Sequence, residues 1–230
     1  MGVFISAFSI IAGCLLGDAF KNYIKIKSFA IFGISIMIIS MVSFYENIFN
    51  LGEMGLKSDK LLLVVFSLIV GTVIGDMLNI ESKFIALLHS KNDENIAVMD
   101  ATLFFGIGGL QICGPVLLAA TGDSSQLILK SIIDFPFALM FGMSYGKKTS
   151  LSAIPVALGQ IVIVFVSKLF VGFFTADVIK QICAIGYIIL FFSGFNLICE
   201  SKNKINNFSM IIGIFIILIY NIVLNAWRCL

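Results

Sequence analysis

The sequence is poor in charged residues and in the residues that catalysis and metal binding most often use. Charged side chains make up 12% of the 230 residues, whereas a soluble domain carries about 25%. There is one histidine, and the five cysteines show no C-x-x-C spacing, so neither a zinc site nor a disulfide framework is indicated. The net charge of +2 provides no basic region for nucleic acid. We expect no metal, no cofactor and no nucleic-acid partner, and we interpret the cysteines as small buried hydrophobes.

Apolar residues take the place of the missing charge. They make up 60% of the chain, which is more than a soluble domain usually carries. Runs of about 20 predominantly apolar residues are long enough to cross a bilayer. The sequence therefore predicts an all-α integral membrane protein, a single polytopic domain over residues 1–230. We expect eight transmembrane helices, at residues 3–20, 29–45, 61–78, 97–120, 126–146, 150–174, 178–199 and 207–227.

The basic residues predict how these spans are oriented. Alternating spans place nine lysines in loops on one side: Lys21, Lys25, Lys27, Lys83, Lys91, Lys147, Lys148, Lys202 and Lys204. The other side has four basic residues: Lys57, Lys60, Lys180 and Arg228. By the positive-inside rule the lysine-rich side is cytoplasmic. Both termini are then expected outside.

Two segments of the chain are similar and are identical at five of ten positions. "SIIAGCLLGD" (residues 9–18) and "SLIVGTVIGD" (residues 67–76) each contain G-x-x-x-G, formed by Gly13 with Gly17 and by Gly71 with Gly75. Small residues at this spacing let two helix backbones approach closely in lipid. We expect helices one and three to be tightly packed through these glycines.

A weaker similarity relates the two halves of the chain. Residues 5–13 resemble residues 151–159, and residues 30–46 resemble residues 184–200. The offset of five spans is odd, so the copies would be inverted in the membrane, as in many secondary transporters. This pattern favours an inverted repeat that relates helices one to three to helices six to eight. The alternative is that apolar segments resemble one another by composition alone.

The fifth predicted span contains two ionisable residues, Lys130 and Asp134. Each costs about 2.5–3.5 kcal/mol at the bilayer centre on insertion scales. They are four residues apart and share one helix face, and Asp134 lies about 12 Å into the span. Pro136 removes a backbone donor just beyond them. One interpretation is a substrate, proton or cation site around Asp134, and the other is a structural ion pair.

The fourth predicted span contains the glycine-rich stretch "FFGIGGLQICGPV" (residues 104–116). Non-helical backbone at membrane depth is tolerated where protein buries it or where it lines a cavity. We predict that the helix is interrupted between about Gly106 and Gly114, with Gln111 in the break and near Asp134. The alternative is an unbroken helix that packs closely and is kinked at Pro115. The predicted backbone of the break comprises Gly106, Gly108, Gly109, Gly114 and Pro115.

Five motifs resemble one family of bacterial proteins. They are "LIVGTVIGDMLNIESK" (68–83), "TGD" (121–123), "LKSIIDF" (129–135), "SAIPVALGQ" (152–160) and "SGFNLI" (193–198). Together they resemble the multi-pass inner membrane proteins of domain-of-unknown-function family 554. The chain departs from the family pattern at Asp76, where Glu is frequent, and at Phe135, where Gly is frequent. The resemblance implies a bacterial cytoplasmic membrane and supports Lys130, Asp134 and Gln160 as site residues, but implies no settled activity.

These features favour a transporter for a small solute or an ion. The expected binding residues are Asp134, Lys130, Ser131, Gln111, Gln160 and Asn196. A second hypothesis is a non-transporting accessory protein, whose G-x-x-x-G faces would bind other membrane helices or form a homodimer. An enzyme is disfavoured, because the chain has neither H-E-x-x-H nor G-x-S-x-G.

Overall fold

The computed structural model describes residues 1–23, 28–52, 55–57, 60–79, 93–107, 110–198 and 207–228. The α-helices are α1 (Gly2–Phe20), α2 (Ser28–Ile48), α3 (Leu61–Met77), α4 (Asp93–Ile107), α5 (Leu110–Thr121), α6 (Ser125–Tyr145), α7 (Ala153–Leu169), α8 (Ala176–Ile198) and α9 (Asn207–Arg228). Short 3-10 helices, Lys147–Ser152 and Val171–Phe173, precede and follow α7. Two three-residue antiparallel strands, β1 (Asn50–Gly52) and β2 (Gly55–Lys57), lie between α2 and α3. This small hairpin was not predicted, because its strands are too short to show an alternating pattern.

The helices confirm an all-α membrane protein. Within the described residues, five helices are long and apolar enough to cross a membrane, or six if the bent pair α4–α5 is one span. Leu61–Met77 and Ile212–Leu224 are apolar but shorter. Every predicted span coincides with a helix or with the α4–α5 pair. The number of eight crossings stays a prediction.

Close packing joins the helices in pairs that are distant in sequence. α1 lies along α6, α2 along α8, α3 along α9, and α5 against α7. A methyl group added at Gly13 would come within 2.6 Å of the Ala138 Cβ, and one at Gly17 would collide with the Leu139 carbonyl. Gly71 packs in the same way on Gly213 of α9.

The prediction that helices one and three are tightly packed through these glycines is confirmed, but each of them packs on a helix from the second half of the chain. The G-x-x-x-G motif correctly marks α1 and α3 as helices with a close neighbour, and Gly75 is also buried. However, the motif specifies only that the glycine face is small. α6 brings its own glycine, Gly142, against the backbone of Cys14, and this reciprocal fit makes α6 the partner of α1.

Candidate solute site in the helix bundle

Lys130 and Asp134 form a buried ion pair on one face of α6. Their exposed fractions are 2% and 7%. Asp134 lies nine residues after the start of α6, which is about 13 Å along the helix axis and close to the middle of a 30 Å hydrocarbon core. The pair carries no net charge, so α6 can hold both ions in the bundle without a third charged group.

Serine hydroxyls connect this part of α6 to its own backbone and to α1. The Ser131 Oγ donates to the Leu127 carbonyl at 2.7 Å, and the Ser9 Oγ of α1 donates to the Ser131 carbonyl at 2.5 Å. Pro136 follows within the same helix. Ser131 was predicted as a binding residue, and the structure places its hydroxyl in a local hydrogen bond beside the ion pair.

A second group of buried polar side chains joins three helices. The Gln111 Nε2, in the first turn of α5, donates to the Val156 carbonyl of α7 at 3.0 Å. The Gln160 Nε2 of α7 donates to the Gln111 Oε1 at 2.9 Å and to the Ser6 Oγ of α1 at 3.2 Å. We call Ser6, Gln111 and Gln160 the amide network. All three side chains are buried, so each hydrogen bond is made away from lipid and water.

The structure brings Gln111 and Gln160 together, but it places Gln111 in the first turn of α5 and not in the break, and Asp134 is not among its hydrogen-bond partners. Its amide bonds to α7 instead. α1 lies between the two groups: its Ser6 belongs to the amide network, and its Ser9, one turn further on, bonds to α6 beside the ion pair. Asn196 lies elsewhere, near the end of α8 and next to the crossing of Gly194 with Gly33 of α2.

The interruption of the fourth span is present but shorter than predicted. α4 ends at Ile107 and α5 begins at Leu110, with an angle of 53° between the two helices. Gly106, the second-last residue of α4, has open space where a Cβ would lie, whereas Gly114 of α5 packs against Leu127 of α6. Gly108 and Gly109 lie outside the described residues.

Gly114 and Pro115 are thus inside a helix rather than in the break. The physical reason is that Pro115 is only the sixth residue of α5. Its missing N–H leaves a single carbonyl, that of Gln111, without its usual helical donor. One lost hydrogen bond near a helix end does not require the helix to stop.

A disulfide bond that the sequence did not predict joins Cys113 of α5 to Cys183 of α8. The two Cα atoms are 5.1 Å apart, and both residues are buried. The interpretation of these two cysteines as simple buried hydrophobes is therefore wrong. It holds for Cys14, which is buried with a free thiol. Cys199 and Cys229 lie outside the described residues. No local spacing could reveal a bond between residues 70 positions apart.

The connection between α5 and α6 carries an acidic residue outside the spans. Asp123 accepts hydrogen bonds from the backbone N–H and the hydroxyl of Ser125, each at 2.8 Å. These hydrogen bonds lower the pKa of Asp123 from its ordinary value, because they stabilise the ionised carboxylate. Asp123 is therefore a carboxylate in an exposed turn, in contrast to the buried Asp134.

Comparison with known proteins agrees with this architecture. The chain is 26% identical over 212 residues to the uncharacterized membrane protein YdfK of Bacillus subtilis, and the match covers 90% of each chain. It is 24% identical over 222 residues to the uncharacterized protein YqgA of Escherichia coli, covering 88% of each chain. No solved structure matched it. The model of one family, described as "Protein of unknown function (DUF554)", matches residues 1–222, and the protein is therefore a membrane protein of the DUF554 family.

Proposed function

We propose that the protein is a secondary transporter for a small solute or an ion in the bacterial cytoplasmic membrane. The observation that carries this proposal is the buried Lys130–Asp134 pair on α6, which α1 connects to the amide network. Ionisable residues inside membrane spans are rare and mark substrate or ion pathways. Apolar residues of similar volume are often no less stabilising than a buried ion pair, so stability alone does not explain the charges.

The bent span supports the same function. Discontinuous helices form the binding sites of many transporters, near the membrane midplane and at the interface between repeats. Here the break between Ile107 and Leu110 leads directly into Gln111, whose side chain joins the amide network. The break and the buried polar side chains therefore occur in one part of the bundle.

Helix packing supports the inverted repeat and the alternating topology. α2 lies along α8, and α3 along α9, so two helices pack on the counterparts that the repeat assigns to them. Gly2 lies beside Leu127 and Gly17 beside Met143, which makes α1 and α6 parallel. α1 and α6 correspond to the first and fifth predicted spans, and these two must be parallel if eight spans alternate in direction. With the lysine-rich loops in the cytoplasm, both termini are outside.

The alternative, an accessory protein that binds through its G-x-x-x-G faces, has less support. Gly13, Gly17 and Gly71 already pack against α6 and α9 of the same chain. A partner helix or a second copy of the chain would therefore have to use other surfaces.

The test is thermal unfolding of the detergent-purified protein with a panel of cations, anions and uncharged metabolites, for wild type and Asp134→Asn. A ligand that binds only the folded state stabilises it by about 2.7 kcal/mol at a hundredfold excess over Kd. We expect at least one ligand to stabilise wild type and not Asp134→Asn. Asp123→Asn is the matched control, since it removes a carboxylate from an exposed turn. If no ligand stabilises wild type more than Asp134→Asn, the ion pair is structural and the proposal fails.

A further inference from the structure

The orientation of the two amides in the network is determined by one backbone carbonyl. Only an NH2 group can face the Val156 carbonyl, so the Gln111 Nε2 must point to α7. The Gln111 Oε1 then faces Gln160 and requires a donor there, which is the Gln160 Nε2. The direction of the first hydrogen bond therefore fixes the second. A flip of either amide would place two acceptors or two donors against each other.

This chain of hydrogen bonds leaves the Gln160 Oε1 without a donor. Gln160 has an exposed fraction of 0%, and its Oε1 accepts no hydrogen bond from the residues that the structure describes. Among the described residues, two buried serine oxygens, Ser67 Oγ and Ser152 Oγ, also have no partner, but a hydroxyl can rotate its proton towards an acceptor. A carbonyl oxygen can only accept, so a bound molecule that reaches Gln160 must donate.

The charge of the surroundings restricts what that molecule can be. Ser6, Gln111 and Gln160 are uncharged, and Lys130 and Asp134 neutralise each other. A charged ligand would bring an uncompensated charge into the interior, where an unpaired ion costs far more than an unpaired polar group. The first turn of α5, which contains Gln111, is the positive end of that helix and further disfavours a cation.

We propose that the amide network binds a small uncharged solute that donates an N–H or O–H group to the Gln160 Oε1. This rests on the proposed transport function and narrows its substrate class, from any small solute or ion to neutral hydrogen-bonding solutes. Primary amides and alcohols share the required chemistry. A primary amide fits best, because its second N–H and its carbonyl can also bond to the polar groups of Ser6 and Gln111.

The experiment compares two ligands that differ in their donors. Acetamide has two N–H donors, and N,N-dimethylacetamide keeps the carbonyl but has none. Glycerol tests the alcohols, and sodium, potassium and choline chloride at equal ionic strength test cations. We expect acetamide to raise the unfolding midpoint of wild type in a saturable way, by about 5–10 °C at a hundredfold excess over Kd, and N,N-dimethylacetamide to have no effect. If glycerol is the ligand that raises it saturably, the solute is an alcohol.

Gln160→Met removes the acceptor with little change in volume, and we expect it to weaken acetamide binding about tenfold or more. Gln181→Met is the matched control. Gln181 is also buried, but it accepts its hydrogen bond from Asn221 of α9, outside the network, so this variant should keep wild-type affinity and also report any general effect of the solute. Should Gln160→Met not fold, the comparison of acetamide with N,N-dimethylacetamide in wild type still tests whether the bound solute must donate a hydrogen bond.

The possible results separate the two proposals. Stabilisation by sodium or potassium that Asp134→Asn abolishes, with no response to acetamide or glycerol, would overturn the neutral-solute inference and leave the transporter proposal standing. Equal responses to acetamide and N,N-dimethylacetamide, or an unchanged acetamide response in Gln160→Met, would also overturn the inference. If no ligand gives a response that depends on Asp134, the transporter proposal fails, and if none gives a response that depends on Gln160, the neutral-solute inference fails.

Discussion

The ion pair and the amide network bury polar groups in the same bundle in two different ways. Lys130 and Asp134 are neighbours on α6 and pair as soon as that helix forms. Each hydrogen bond of the amide network joins two helices, and the complete network requires α1, α5 and α7 to be packed together. The pair is complete without a ligand, whereas the network keeps one acceptor unpaired. The ion pair, which forms within one helix, places charged groups deep in the bundle. The amide network, which is assembled from several helices, can make a binding site specific for one kind of ligand.

The largest effect is expected from breaking the ion pair on one side only. Asp134→Leu leaves the Lys130 ammonium buried without its partner, which costs about 3–5 kcal/mol. This corresponds to a fall of about 6–20 °C in the unfolding midpoint. The double variant Lys130→Met/Asp134→Leu removes both charges, so its midpoint should return close to that of wild type. A double variant as unstable as the single one would show that the two residues do not satisfy each other.

A smaller effect on stability is expected from substituting a glycine where α1 packs closely on α6, compared with a glycine beside the amide network. The added methyl group of Gly142→Ala would collide with the backbone of Cys14, and α1 would have to move away from α6 at a cost of about 1–3 kcal/mol. Gly159→Ala is the control beside the amide network. Its methyl group would lie 3.5 Å from the Gln111 Nε2, an ordinary contact, so the midpoint should stay the same or rise. Equal losses in the two variants would contradict the helix packing described here.

The smallest effect distinguishes two serines on α1. Ser6→Ala removes an acceptor of the amide network, and Ser9→Ala removes a donor to α6. Each should lower stability by about 0.6 kcal/mol, the average for hydrogen bonds between membrane helices. Only Ser6→Ala should also reduce the stabilisation by acetamide, because Ser9 lies outside the network. An equal loss of that stabilisation in both variants would mean that the network is not a separate site.

The sequence predicted what depends on neighbouring residues along the chain. Helix positions follow from apolar runs, and the Lys130–Asp134 pair follows from its spacing of four. It did not predict the partners of α1, Gln111 or Cys113, because each of these contacts joins segments that come together only in the folded bundle. Glycine marks a close contact but does not identify the partner, and an amide can bond to any helix within reach.

The disulfide bond affects how the bent span can move. α5 is attached to α8 by Cys113 and Cys183 and to α7 by Gln111, and the short turn at residues 122–124 joins it to α6. The rings of Phe104, Phe105, Phe137 and Phe141 pack together where α4 meets α6, and α4 also packs on the 3-10 helix Lys147–Ser152 and on α7. A change in the 53° angle would therefore have to move α4 across these surfaces, because the disulfide bond, the Gln111 hydrogen bond and the short turn hold α5 in place.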